Sequence, residues 1–455
     1  MDGPIQRLLI ANRGEIAVRI IRACRDLGIE AVVTYSEADR DSLAVRMADR
    51  AICVGPGQPS ASYLNIANIL GAAIGWHCDA VHPGYGFLAE HAGFANACEE
   101  AGLRFVGPRS ETIQLLGDKI AARRTAQELG IPVLPGSASS VRDVAAAREL
   151  GERLGYPLLI KAGGGGGGRG LRLVEDPEQL EGALAIASSE ASAAFQNDAV
   201  YIEKYVRHAR HVEIQVAVDP QGQAVHFGER DCSIQRNYQK LVEESPSPAV
   251  SPAIRERMAG SALRLVRHVG YLGVGTVEFL LDQDSDEFFF IEMNTRLQVE
   301  HPVTEIVTGV DLVILQLEIA SGRPLSLQQR DIGLSGHAIE FRINAEDPAR
   351  GFLPSAGRLD VWHAPQGPWI RTDTHCYPGY VVPPFYDSLL AKVIVSGATR
   401  EEALRRARRA LAEHEVLGVP TSLTFHRWLL EQEDFVGGTA HTAWTREAWN
   451  GGAPR

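Results

Sequence analysis

The chain has 455 residues, of which 45% are hydrophobic and 22% charged, with a formal net charge of −12. That length suits roughly three domains at about 150 residues each, and the composition is that of an ordinary soluble globular protein. The acidic balance argues against general nucleic-acid binding. No run of about 18 apolar residues exists for a membrane span, and the first residues, Met1-Asp2-Gly3-Pro4, lack the regions of a signal peptide.

Residues 7–35 read as a strand, a turn, an amphipathic helix ended by Gly28 and a second strand. This βαβ opening is similar to a dinucleotide fold, but Asn12-Arg13-Gly14 replaces G-x-G-x-x-G, which argues against NAD. More β/α alternation leads through residues 80–82 into the loop 83–87. There Gly84 and Gly86 either line a ligand site on the sheet rim or make a tight turn. A helical segment follows Gly117-Asp118-Lys119, and residues 130–136 form a Pro/Gly-punctuated hinge.

The next unit, about 138–205, opens with an Ala/Arg/Glu helix and a strand ending at Lys161. Six glycines, Gly163 to Gly168, then lead into an apolar strand at 171–174. In a P-loop the glycines open a helix and end in G-K-[ST], whereas here strand follows strand. The pattern predicts a hairpin flap whose backbone N–H groups fold over phosphates as a lid, met by the Lys161 ammonium. Residues 200–206 read as the returning strand, with a backbone edge free to hydrogen-bond an adenine. The polar run from Glu229 to Lys240 reads as an active-site strand; Cys232, with no evident His partner, reads as a plain thiol.

Two apolar runs at 277–281 and 288–291 flank a polar turn and predict an antiparallel hairpin. Each strand carries one carboxylate, Glu278 and Glu292, and Asn294 shares a face with Glu292 by alternation. Buried carboxylates want cations, and these oxygen donors suit magnesium or manganese. Arg296, Gln298 and Glu300 follow at every second position. They supply a planar fork, a neutral donor and a base, a set fit to bind and deprotonate a small planar anion. The C-terminal 330–455 adds strands near 336–342 and 392–395, an Arg-studded helix at 401–414 and five of the six tryptophans.

Only five of the 45 basic residues are lysines: Lys119, Lys161, Lys204, Lys240 and Lys392. Where Arg is used almost everywhere, Lys marks places that want a compact ammonium, and four of the five fall in the stretches above. The six cysteines form no C-x-x-C pair, which suits reduced thiols and a cytoplasmic location.

The motifs IANRGEIA, HPGYGFL, GDK, IKAGGGGGGRG, ERDCSIQR, FIEMNTRLQVEHPVTE, RINAEDP and PPFYDS occur in this order. By them nearly the whole chain resembles the biotin carboxylases, the ATP-grasp component of bacterial acetyl-CoA carboxylase. The resemblance implies an α/β architecture: an N-terminal Rossmann-like domain at 1–117, an ATP-grasp domain at 118–330 with a mobile glycine-rich lid at about 138–205, and a C-terminal α+β domain at 331–455. It implies ATP surrounded by Lys119, Lys161, Gly167, Gly168, Glu203, Lys204, Tyr205, Val206, His211, Gln235, Tyr238, Glu278 and Glu292. Glu278, Glu292 and Asn294 would hold about two Mg2+ or Mn2+ ions. Lys240, Arg296, Gln298 and the backbone of Val299 would bind bicarbonate, Glu300 would take its proton, and Arg342 would stabilise the biotin enolate. The family often has His where this chain has Tyr238, which can donate a hydrogen bond but cannot become cationic.

None of the four methionines adjoins a lysine, so biotin is expected on a separate biotin carboxyl carrier protein, with carboxyltransferase subunits completing the reaction. The resemblance further implies a homodimer with Arg19 near its interface, and no nucleic-acid or membrane partner. Acetyl-CoA, propionyl-CoA and pyruvate carboxylases share this module. The rival readings are an ATP-grasp ligase that passes an acyl phosphate to an amine, and a non-catalytic nucleotide sensor.

Overall fold

In the N-terminal region β1 (Arg7–Ile10), β2 (Glu30–Tyr35), β3 (Arg50–Cys53), β4 (Ala80–His82) and β5 (Arg104–Phe105) form a parallel sheet in the order β3-β2-β1-β4-β5. The structure is a computed structural model that describes residues 3–137, 139–162, 171–195 and 200–451; the hexaglycine, with Gly167 and Gly168, lies outside the described residues. The helix Gly14–Leu27 buries Ile16, Ile20 and Ile21 and ends at Gly28, whose left-handed φ of 69° lets its N–H reach back to the last turn. At the carboxyl end of β4, the Asn12 amide donates to Pro83 O at 2.6 Å and Tyr85 O at 2.8 Å. Gly84 has φ +63°, and a Cβ there would lie 2.8 Å from that amide, so the loop is a tight turn pinned by Asn12.

The lid region is a three-stranded antiparallel sheet, order β7-β6-β8, of β6 (Leu158–Ala162), β7 (Leu171–Val174) and β8 (Val200–Lys204). Its outer edge differs from the expected free adenine edge. Val141 N–H donates to Val200 O (2.7 Å), Ser137 N–H to Ile202 O (2.8 Å), and Lys204 N–H to Pro135 O (2.8 Å). The hinge segment satisfies the strand as a fourth partner would, and only the end of the stretch, at Val206, lies beyond these bonds.

An eight-stranded antiparallel sheet spans the rest. Its members are β9 (Ala209–Val218), β10 (Ala224–Arg236), β11 (Gln239–Ser245), β12 (Gly273–Asp282), β13 (Phe288–Asn294) and β14 (His337–Asn344), followed by the strands Ile370–Thr374 and Leu389–Gly397. They run in the order β13-β12-β9-β10-β11-β14, then Leu389–Gly397 and Ile370–Thr374, so one sheet crosses residue 330 without a break. One face of the β12–β13 ribbon buries Val277, Phe279, Leu281, Phe288, Phe290 and Met293 against helix Pro252–His268. Each such side chain contributes about 1.5–3 kcal/mol.

Simple alternation would put Phe288, Phe290, Glu292 and Asn294 on one face. A bulge breaks it: Phe279 pairs with Phe290 while Glu278 pairs with Glu292, leaving Ile291 as the extra residue. The phenylalanines therefore face the core while Glu292 and Asn294 face the other way. In the C-terminal region Trp362 and Trp444 join the core, Trp428 and Trp449 pack on it, and Trp369 remains exposed. Among the described residues no helix is long and apolar enough to cross a membrane.

Candidate active site

Register builds the site. Arg230 on β10 pairs with Glu213 on β9, Glu213 with Glu278 on β12, and Glu278 with Glu292 on β13. Side chains in one register row share a face, and like charges directly opposite repel. Three carboxylates in a row persist only because cations are set among them. The Lys240 ammonium lies 2.6 Å from Glu213, 2.9 Å from Glu278 and 2.5 Å from Glu300. His211 is 3.1 Å from Glu278, and Lys119 is 3.1 Å from Glu292. The cations that burial demanded are thus supplied by the protein itself.

Beneath the row Arg230 is fully buried. It donates to Glu213 (2.5 Å), Gln215 (2.6 Å), Thr304 (3.0 Å), Thr276 (3.1 Å) and Gln298 (2.9 Å). All five guanidinium donors allowed by its chemistry face an acceptor. Glu278 in turn accepts from Asn294 (2.9 Å) and Gln298 (2.7 Å).

Beyond Asn294 the strand stops, so Arg296, Gln298 and Glu300 do not alternate along a strand as the sequence spacing suggested. They sit in a turn that ends at Glu300, the residue before helix His301–Thr308. Arg296 reaches Asn294 (2.9 Å) and Glu90 (2.9 Å), the latter from the N-terminal region. Glu300 meets Lys240 through one oxygen and Arg342 through the other at 2.8 Å, and Arg342 also meets Glu243 at 2.6 Å. Burial alone would raise the Glu300 pKa, but Lys240, Arg342 and Arg230 outweigh it and hold the carboxyl well below its ordinary range. Glu278 is held low in the same way by Lys240 and His211. Glu243 is pushed up to about 7 by burial and by Glu300, against the pull of Arg342. The Cys232 thiol lies beside this cluster; burial first, then Glu213, raises its pKa well above the ordinary value, so it stays an inert thiol.

A second group lies on the lid side. Lys161 and Arg123 both grip Glu203, at 2.5 and 2.6 Å, and the Lys161 ammonium lies 5.8 Å above the Tyr201 ring. The Lys204 ammonium turns back onto the carbonyls of Gly155 (2.9 Å) and Tyr156 (3.1 Å). Gln235 donates to Cys232 O at 2.7 Å. Tyr238 is half exposed in a two-residue hairpin loop, with φ +49° at Asn237 and +63° at Tyr238. Tyr205 N–H bonds Pro157 O at 3.1 Å.

The structure therefore joins Lys240, His211, Glu278, Asn294, Gln298, Glu300 and Arg342 directly, with Arg296 and Glu292 adjoining. Lys161 and Glu203 form a separate pair, and the Lys204 side chain and Tyr238 stand apart. Sequence reasoning gave no role to Arg230, Glu213, Glu243, Glu90 or Lys392. For Lys392 a signal existed, since it is the one of the five scarce lysines to which the sequence assigns no site role. The fully buried Lys392 ammonium binds Val299 O at 2.9 Å.

A lid of antiparallel strands beside a large antiparallel sheet, with cations and carboxylates gathered on the sheet face, defines an ATP-grasp enzyme. Family models match along the chain: "Biotin carboxylase, N-terminal domain" at residues 4–113, "Carbamoyl-phosphate synthase L chain, ATP binding domain" at 118–328 and "Biotin carboxylase C-terminal domain" at 340–447. Biotin carboxylase 1 of Bacillus subtilis is 53% identical over 96% of this chain and 97% of its own length. A pyruvate carboxylase component of Methanothermobacter thermautotrophicus is 46% identical over 97% of this chain and 89% of its own. The solved biotin carboxylase domain dimer of Hydrogenobacter thermophilus 2-oxoglutarate carboxylase, in complex with MgADP, ADP and bicarbonate, superposes with a TM-score of 0.94 at 43% identity, over 98% of both chains. The chain belongs to the biotin carboxylase family.

Proposed function

We propose that this chain carboxylates biotin with bicarbonate at the expense of ATP, releasing ADP and phosphate. The observation that carries this reading is the meeting of Lys240, Arg342 and Glu300 beside the oxygen-rich set of Glu278, Asn294 and Gln298. A base held between two cations is a place for an anion that must lose a proton. Glu278, Glu292 and Asn294 offer the carboxylate and amide oxygens that fit Mg2+ or Mn2+, and such an ion, when bound, neutralises phosphate charge. ATP is assigned to Lys119, Lys161, Glu203, Lys204, Tyr205, Val206, His211, Gln235, Tyr238, Glu278 and Glu292, and to Gly167 and Gly168, which lie outside the described residues.

Bicarbonate is gripped by Arg296, Gln298, the Val299 backbone and Lys240. On entry it competes with Glu300 for the Lys240 ammonium. Relieved of one cation, the Glu300 carboxylate becomes more basic and takes the bicarbonate proton. The freed oxygen attacks the γ-phosphorus, ADP leaves, and carboxyphosphate breaks into CO2 and phosphate. That phosphate removes the proton from the ureido N1 of biotin, Arg342 stabilises the enolate, and N1 attacks CO2.

Biotin is taken on a separate carrier protein. The carboxyl group then passes through a carboxyltransferase to acetyl-CoA, in fatty acid synthesis; the Methanothermobacter relative supports a pyruvate carboxylase as the second reading. The working unit is a cytoplasmic homodimer, a reading supported by the dimer of the Hydrogenobacter domain. Arg19 is buried within the chain and paired to Glu305 (2.9 Å) and Asp311 (2.6 Å), so it would brace such an interface from beneath. The test is ADP release with and without bicarbonate and free biotin. Dependence on both is expected; release that ignores both and responds to an amine overturns the reading.

A further inference from the structure

Arg342 on β14 and Lys392 on the strand Leu389–Gly397 are register partners, so both side chains leave the sheet on one face. They take hold of consecutive residues in the turn after β13. Arg342 meets the Glu300 carboxylate at 2.8 Å, and Lys392 donates to the Val299 carbonyl at 2.9 Å. One cation fixes the side chain of the base and the other fixes the peptide that carries it.

Lys392 has no exposed surface, and its counter-ion Glu15 lies 3.1 Å away in the first helix, itself accepting from the Tyr85 hydroxyl. Replacing a buried ion pair by apolar groups of the same volume is often neutral or stabilising. Stability alone is then a weak reason for this pair. Diagonal to Lys392 sits Glu340, the register partner of Glu243 and Ile394, with neither carboxylate oxygen hydrogen-bonded. Burial first, then Glu243 and Glu300, raises the Glu340 pKa well above its ordinary value against the pull of Lys392 and Arg342.

The preceding carbonyl of the same turn is tied down as well. His301 Nδ1 lies 2.8 Å from Gln298 O, and burial keeps that ring neutral. Because a trans peptide is planar, with C=O and N–H on opposite sides, pinning the Val299 oxygen aims the Glu300 N–H away from Lys392. A turn free to flip would offer a carbonyl oxygen, which repels an anion.

We propose that Lys392 is a positioning residue for the bicarbonate step: it holds the Val299 carbonyl on the buried side of the turn and thereby fixes Glu300 between Lys240 and Arg342. This rests on the reading of the site given above. The test is steady-state ADP release by the full chain with free biotin, comparing wild type with the charge-balanced double variant Lys392→Met with Glu15→Gln.

For the double variant, kcat/KM for bicarbonate is expected to fall by about 10²-fold, the order lost when a reacting group is misplaced by about 1 Å. KM for ATP is expected to stay within about twofold, because among the described residues the polar partners of Lys392 are Val299 O and Glu15, neither on the nucleotide side. Lys392→Arg keeps the charge beside Glu15 but not the compact head. It carries the same test where the double variant does not fold, with at least a tenfold loss toward bicarbonate expected. A parallel rise of both KM values, or an unchanged kcat/KM for bicarbonate, overturns the proposal. A wild-type protein that cleaves ATP without regard to bicarbonate refutes instead the reading beneath it.

Discussion

Arg230→Lys tests whether the buried arginine is the frame of the site or merely a counter-charge. Lysine keeps the charge, but an ammonium has three donors at one point, against five spread along the guanidinium fork. It can retain Glu213 and at most two of Gln215, Thr304, Thr276 and Gln298, so two buried acceptors lose their donor. An unsatisfied buried group costs about 1–3 kcal/mol. Threonine hydroxyls can turn to other partners, so we expect a net loss of about 2–4 kcal/mol. At about 1 °C per kcal/mol for a chain this long, thermal unfolding should shift down by roughly 2–4 °C. Gln298 loses the donor that orients its amide toward Glu278, so the bicarbonate KM should rise while the ATP KM holds. Removing the charge with Arg230→Met should be worse, by about 3–5 kcal/mol, because Glu213 keeps Lys240 at 2.6 Å and the His211 ring at 3.8 Å but loses its guanidinium partner. A lysine variant that melts within about 1 °C of wild type, with its bicarbonate KM intact, would refute the argument.

Glu300→Gln should lower bicarbonate-dependent ADP release by at least about 10²-fold and leave calorimetric binding of a non-hydrolysable ATP analogue within a few fold; loss of binding would reassign Glu300 to the nucleotide. Glu244 is buried, which alone raises its pKa, but His337 and Arg400 bring it down to about 2 from an ordinary 4.5. Its folded pKa is depressed, so its contribution is full above pH 4.5 and is lost as pH falls toward 2. It amounts to about 3 kcal/mol at most, and Glu244→Gln should flatten the urea midpoint over that window. Tyr238 holds a left-handed φ of +63°, a strain of roughly 1 kcal/mol. Tyr238→Asn should therefore raise the melting temperature by about a degree; a fivefold rise in ATP KM in that variant would show that the ring touches the nucleotide.

The element types were legible where periodicity ran unbroken: the first βαβ unit, the hairpin at 273–294 and the helix at 400–413 all lie where apolar spacing put them. The facing of Glu292 and Asn294 came out right only because a parity rule was applied within a short stretch. Carried back to Phe288 it fails, since the bulge at Ile291 switches faces and no residue type announces it. Likewise the spacing of Arg296 to Glu300 reads as more strand, and a turn with one carbonyl held by His301 and the next by the distant Lys392 is invisible to spacing. Along β8 the outward groups from Val200 to the Lys204 N–H are taken by a segment some 65 residues earlier, a pairing that local pattern does not encode, while Val206 lies beyond it.

The residues that sequence reasoning missed share one physical trait. Arg230, Glu213, Glu243 and Lys392 are charged side chains buried in strands covered on both faces. In the run from Glu229 to Asp231 three consecutive charged residues are buried, so the rule that polar residues face water gives no phase. Their positions become readable only through cross-strand register, where Arg230, Glu213, Glu278 and Glu292 fall into line. That line also explains why the base is held so acidic in the resting site. With Glu213, Glu278 and Glu300 around a single ammonium, any anion that takes up Lys240 must displace a carboxylate from it. With Glu300 in the proposed role of base, substrate entry and activation of the base are then one electrostatic event.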